Sequence, residues 1–317
     1  MFCRLSKSLD RPGFKRVEVP LTFDTEFFDI LYGDVVNLDT LQNEQQKAVA
    51  SNINTLSSQL VRLARPLQGK YKDKKTDLYR WRQLFEIYLQ GSVFFSTHEK
   101  DHGSRDSATA AKQLNWFQDE VVKRGIVDTF TLPESRQALV QFVNINIELL
   151  RNLKFQELNQ KAISKILKKF DKRTHLGASQ TFPRLIQSDA IMSGSMAKAL
   201  CSQVTQDIVK LVPQIEDYSC PVCCDIVWRP VRMKCEHLFC SSCAVKLEKQ
   251  KKRCPLCREN VLVNLMEDDI DNDMSSYLEL WFPKEVREKR IAIETEAGRE
   301  ALGIHYKHPS EEKCVVM

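Results

Sequence analysis

The chain has 317 residues, enough for one to three domains, with 43% apolar and 28% charged residues and a formal net charge of +5. So mild an excess does not by itself point to nucleic acid, and sparse glycine and proline argue for helices over a β-sandwich. No run approaches the ~20 apolar residues of a membrane-spanning helix, and no signal-peptide core follows Met1.

Residues 1–17 are basic and read as a solvated leader; Asp10, Pro12 and Gly13 argue against a mitochondrial one. From Thr25 to Ala64 the spacing predicts one long helix. Phe28, Leu31, Val35 and Leu38 step by three and four, and Val49, Ile53, Leu56, Leu60 and Leu63 resume the rhythm after Gln42 and Gln45 interrupt it. Pro66 and Gly69 end that helix. A second fits Thr76–His98 on Leu78, Trp81, Phe85 and Tyr88, and a third fits Ala108–Arg124 on Leu114, Phe117 and Val121. Pro133 suits the first turn of a fourth, with Leu139, Val143, Ile147 and Leu150 on its apolar face, and the pattern resumes from Phe155 to Arg173. Residues 18–175 are therefore expected to form an elongated helical bundle. Residues 176–217 read as a linker with one helix (Met196–Val212), and 218–262 as a small cysteine-rich module. Residues 263–317 hold an acidic loop (Glu267–Asp273), a charged amphipathic helix (Lys284–Ala301) and a tail.

Of eleven cysteines, only Cys3, Cys201 and Cys314 lie outside the cysteine-rich stretch. The pairs are Cys220-x2-Cys223, Cys235-x-His237, Cys240-x2-Cys243 and Cys254-x2-Cys257, and Cys224 stands beside them as a bystander. A two-residue spacer lets both sulfurs of a knuckle reach one ion, and zinc takes four tetrahedral N/S ligands. Eight ligands imply two structural zincs with no open position for chemistry, and the metal supplies folding energy that so short a segment lacks. With no secretory signal in view, metal ligation is a better reading than a disulfide framework.

With His as the fourth ligand after a one-residue gap, the pattern resembles C3HC4 RING domains. The resemblance implies a cross-brace: Cys220, Cys223, Cys240 and Cys243 on one ion, Cys235, His237, Cys254 and Cys257 on the other. It implies that Val222, Leu247 and Pro255 contact a ubiquitin-conjugating enzyme, with Leu247 where a Trp is often found, and that Arg258 serves as the linchpin arginine. The planar guanidinium fork of Arg258 can bond carbonyls on conjugating enzyme and ubiquitin together, favouring the closed, reactive conjugate. Trp228 is read as a packing residue.

The stretch Leu158–Arg173 places Lys161, Lys165, Lys168, Lys169 and Lys172 on one helical arc of about 100°, opposite Ile163, Ile166, Leu167 and Phe170. Asp171 is the one acid nearby. Like charges at this spacing repel, and a compact polyanion would relieve them; a merely solvated face is the other reading. Phe155–Lys172 resembles the signature helix of SPX domains, helical bundles that bind inositol polyphosphates and pyrophosphates. The resemblance assigns Lys165, Lys168, Lys169 and Lys172 to that ligand. Such domains open with a short hairpin whose Tyr and Lys complete the site. Residues 1–17 do not match it and the resemblance begins near Glu18, so a truncated chain or an incomplete site is expected.

The whole chain is similar to fungal SPX–RING proteins and shares the architecture of plant SPX–RING ligases. The implied fold is mainly α, an SPX-like bundle followed by a two-zinc RING. The implied activity is that of a RING-type ubiquitin ligase linked to phosphate sensing. Its partners would be a conjugating enzyme, ubiquitin, protein substrates such as membrane transporters, and inositol polyphosphates. The alternative is a non-enzymatic scaffold that binds inositol phosphates and uses its zinc module for protein contact. Nucleic acid is disfavoured because the lysine stripe lacks interleaved aromatics. A cytoplasmic or nuclear location is expected. Cys314-Val315-Val316-Met317 fits a prenylation signal, so Cys314 is a candidate lipidation site for reversible membrane association.

Overall fold

A computed structural model describes residues 22–66, 76–96, 103–185, 195–250, 253–259 and 270–309. Cys314 and the leader lie outside the described residues. Among the described residues no helix is long and apolar enough to cross a membrane. The chain is mainly α and divides into two compact units, one holding 22–65 and 77–212, the other Pro66, Thr76 and the chain from Pro213 onward.

The first unit is built on two helices of 42 residues, α1 (Thr22–Leu63) and α5 (Pro133–Thr174), each about 63 Å long. Phe28 near the start of α1 meets Phe170 near the end of α5, and Asn52 meets Glu148, so the two run antiparallel. The apolar seam of α1 is interrupted where its sequence is: Gln42 is buried in it and Gln45 is exposed, and burial of apolar residues resumes at Val49. Between the long helices come α2 (Leu78–Gly91), a two-residue ribbon of β1 (Phe95–Ser96) and β2 (Gly103–Ser104), α3 (Ser107–Lys123) and the single turn α4 (Ile126–Thr129). Trp81, Phe85, Tyr88, Phe117, Phe130 and Phe142 pack edge-on or tilted at centroid distances of 5.1–6.2 Å, within the range where aromatic pairs attract. The Tyr88 hydroxyl, buried with them, donates to Asn146 Oδ1 at 2.7 Å.

α5 begins at Pro133, where the missing N–H costs nothing, and ends at His175 in a left-handed conformation (φ 58°). It is one unbroken helix across the two apolar stretches of the sequence. Asp77, at the N-terminus of α2, ties α2 to the start of α5. Its fully buried carboxylate accepts from Thr131 N (3.0 Å), Thr131 Oγ1 (2.7 Å) and Leu132 N (3.0 Å). Burial opposes its ionisation, but these bonds outweigh it and hold the carboxyl below its ordinary value. A lowered carboxylate pKa contributes stability that is complete above the ordinary value of 3.8 and fades as pH falls through the lowered one. Asp77→Asn is therefore expected to cost about 2 kcal/mol at pH 7, the worth of hydrogen bonds to a charged acceptor, and much less in strong acid. Denaturant unfolding of both proteins at pH 7 and near pH 2 checks this, and a gap of equal size at both would contradict it.

The span expected as a linker instead returns to the bundle. α6 (Ala178–Leu185) and α7 (Ser195–Asp207) pack against α5 and α1, and Ala178, Phe182, Leu200, Val204, Ile208 and Val212 are buried. The reason is their apolar spacing, which drives docking although the surrounding composition is polar.

In the second unit, β3 (Pro230–Arg232) pairs antiparallel with β4 (Leu238–Cys240) and leads into α8 (Ser241–Lys249). Part of the expected acidic loop opens a helix instead. Asp271 caps α9 (Asn272–Trp281) by accepting from Met274 N at 2.9 Å, while its own N–H donates to Pro230 O at 2.8 Å and its carboxylate pairs with Arg232 at 3.2 Å. α10 (Pro283–Leu302) follows at once. Leu278, Phe282 and Val286 from α9 and α10 join Ile226, Val231, Phe239 and Ala244 in one core.

Candidate functional site

The second unit gathers the eight expected ligands into two groups of four. Cys220, Cys223, Cys240 and Cys243 form one group, and Cys235, His237, Cys254 and Cys257 the other; within each, all ligand atoms lie within 4.8 Å of one another. The sulfurs of Cys223 and Cys240 are 3.9 Å apart, and His237 Nδ1 is 3.4 Å from Cys235 Sγ and 3.6 Å from Cys254 Sγ. Tetrahedral ligands about 2.3 Å from an ion stand about 3.8 Å apart, so both groups fit zinc, with His237 ligating through Nδ1. Four thiolates, or three with an imidazole, are the donor sets zinc favours, and neither leaves a position for water.

Two knuckles of equal geometry build the outer ends of the sites. Cys224 N bonds Cys220 O and Arg258 N bonds Cys254 O, both at 2.8 Å; Cys220 N bonds Asp225 O at 2.7 Å and Cys254 N bonds Glu259 O at 2.9 Å. Cys-Pro-Val-Cys-Cys-Asp and Cys-Pro-Leu-Cys-Arg-Glu are thus one turn used twice. Cys224 and Arg258 hold the same left-handed position (φ 59° and 63°), which turns both side chains outward. Cys224 is accordingly exposed and belongs to neither ligand group.

Val222, Pro255 and Arg258 are exposed at the knuckle tips. Leu247 is not: at 7% exposure it lies in the core. This corrects its expected place on the contact surface. Leu247 continues the inner stripe of Cys240, Cys243 and Ala244 at helical spacing, and a Leu is short enough to be covered there. Leu256, at 55% exposure, is the apolar tip that the sequence reading missed. Aligning the two knuckles marks it, since it corresponds to Val222. Trp228 packs against the core, and its backbone N–H donates to Cys240 Sγ at 3.4 Å. Lys289 of α10 lies against the first site, its Nζ 2.7 Å from Asp225 Oδ2 and 3.4 Å from Cys223 Sγ. Burial works against its charge, yet these two bonds hold the ammonium pKa above the ordinary lysine range.

In the first unit, Lys161, Lys165, Lys168, Lys169 and Lys172 are all exposed along the last turns of α5. Ile163 and Leu167 are buried behind them, while Ile166 is 41% exposed and stands at the margin. Phe170 stacks on Phe27 at 4.8 Å and meets Phe28 at 4.9 Å, with Phe182 of α6 also on Phe28, so the lysine-bearing end is firmly packed. Asp171 does not neutralise the stripe. Its carboxylate caps α6, accepting from Ala178 N and, at 2.8 Å, Ser179 N. Burial opposes its charge, but those bonds hold its pKa below the carboxylate norm.

The SPX domain family pattern matches residues 3–186, more than half of the chain. The chain belongs to the SPX domain family. This SPX match takes in residues 3–17, set apart above as a leader, and the helix α6. A second family, the C3HC4-type zinc finger (RING finger), matches residues 216–262, which include both ligand groups. Transcriptional regulator of yeast form adherence 3 from Candida albicans is 36% identical over 94% of this chain and 60% of its own length. An uncharacterized RING finger protein of Schizosaccharomyces pombe is 34% identical over 89% of this chain and 60% of its own. A probable E3 ubiquitin-protein ligase BAH1-like from Arabidopsis thaliana is 28% identical over 40% of this chain and 49% of its own. The chain thus spans 60% of the length of these two fungal relatives. No solved structure matches it significantly.

Proposed function

We propose that the chain is a RING-type ubiquitin ligase of the SPX family. The observation that carries this reading is the exposed set of Val222, Pro255, Leu256 and Arg258 on two zinc-held knuckles. The apolar tips would seat a ubiquitin-charged conjugating enzyme, and Arg258 would bond carbonyls of enzyme and ubiquitin together. The protein then forms no covalent intermediate and accelerates transfer to a substrate lysine by orientation. The relative named as a probable E3 ubiquitin-protein ligase supports the same reading. Lys165, Lys168, Lys169 and Lys172 would bind inositol polyphosphates and couple the ligase to phosphate status. Substrates would include membrane transporters, the chain itself would be cytoplasmic or nuclear, and Cys314 would carry a lipid for reversible membrane association.

Arg258→Ala is expected to slow ubiquitin discharge about tenfold or more, at least about 1.4 kcal/mol of transition-state stabilisation, while both zincs stay bound. Single-turnover discharge to free lysine, with zinc content measured alongside, tests this. Full discharge by the variant would remove the linchpin role. The burial of Leu247 favours a second reading, a zinc-held scaffold without ligase activity, because it removes one of three expected apolar contacts. Failure of the unaltered chain to discharge any of a panel of conjugating enzymes would decide for the scaffold.

A further inference from the structure

The two metal sites differ in charge. Four thiolates around a divalent zinc leave two net negative charges, whereas three thiolates and a neutral imidazole leave one. The more negative site is the one that receives Lys289. The Lys289 side chain is only 12% exposed, although a lysine ordinarily keeps its ammonium in water. Its carboxylate partner Asp225 is 62% exposed, so the ion pair alone gives no reason for the burial. The ammonium lies inward of that pair, 3.4 Å from Cys223 Sγ. Its position is set by the helix that bears it: Val286 and Phe282, one and two turns earlier, are buried in the core that also contains Cys220, Cys240 and Cys243.

We propose that Lys289 is an outer-shell cation of the first zinc site. Its N–H donates to the Cys223 thiolate, offsets part of the charge of the four-sulfur centre, and slows the loss of its metal. Lys289 lies outside residues 216–262, so the C-terminal helix α10 becomes a working part of the metal module. It is a positioning residue, acting on the metal through Cys223. Partners of this kind typically change metal affinity by about 10–100-fold when removed.

The test uses the full chain loaded with two zincs and follows release to a colorimetric chelator. Lys289→Met and the polar but neutral Lys289→Gln are each expected to release the first zinc equivalent about tenfold faster or more, with the thermal stability of the zinc-loaded chain little changed. Lys289→Arg, which keeps charge and donor, is expected to behave as the unaltered chain. In the cobalt-substituted protein, the sulfur-to-metal charge-transfer bands should shift in the Met and Gln variants and hold in the Arg variant. Should Lys289→Met fail to fold, the Gln variant carries the test. Unaltered release and unshifted bands would overturn the proposal. So would faster release with unshifted bands and a parallel fall in thermal stability of the loaded chain, the mark of simple packing.

Discussion

Replacing Cys223 by alanine is expected to abolish ubiquitin discharge and to leave the cysteine-rich module unfolded. The first site would keep three ligands of four, and structural zinc contributes about 10–16 kcal/mol to folding in small zinc-dependent peptides. No core of this size replaces that contribution. The loss would spread to the second site, because Met233 N bonds His237 O and β4 then runs directly into Cys240, so ligands of both ions share one short ribbon. Helices α1 to α7 belong to the other compact unit and should persist. Circular dichroism should therefore show most helical signal retained, while bound zinc and discharge disappear together. Discharge that survives stoichiometric zinc removal would sink the assignment of activity to this module.

A Lys165/Lys168/Lys172 triple-alanine variant is expected to bind inositol hexakisphosphate about 100-fold more weakly. Three ammonium groups at about 1 kcal/mol each give about 3 kcal/mol, and each 1.4 kcal/mol is a factor of ten. These lysines are exposed and the acid beside them is engaged elsewhere, so the ligand would meet an uncompensated cationic arc. Binding should weaken as salt rises, because screening acts on such exposed charges. Stability should change little, since exposed substitutions usually stay within about 0.5 kcal/mol each. Calorimetry at two salt concentrations measures both affinity and its salt dependence. Equal affinity in the variant would reduce the stripe to a solvated face.

The long helices were legible because burial of one face leaves its period in the sequence: Phe28, Leu31 and Val35 are all buried as the spacing required. The metal ligands were legible for a different reason, since ligand spacing is a short-range geometric demand that no tertiary contact overrides. Misreadings arose where composition was allowed to outweigh spacing. Ser, Gly and Gln around residues 176–195 suggested a linker, yet Phe182 carries a helix back to the core. Acidic residues before Asn272 suggested a loop, yet Asp271 is a helix cap, a role in which acids are common. Leu247 shows that a position matched by resemblance alone can still turn inward. Lys289 could not have been found by local pattern, because its partners Cys223 and Asp225 lie 66 and 64 residues away.

The lysine stripe occupies the C-terminal turns of α5, with Lys172 and Arg173 in the last turn. Anions ordinarily gather at the opposite end of a helix, where free backbone N–H groups and the positive pole of the peptide dipoles hold them. At this end the main chain presents carbonyls, which favour the lysines and repel an incoming phosphate. Any attraction of an anion to this face would therefore rest on side-chain ammonium groups, which acetylation can neutralise without disturbing a buried contact. Such a surface can be turned down by degrees, one lysine at a time, while the bundle beneath it stays folded.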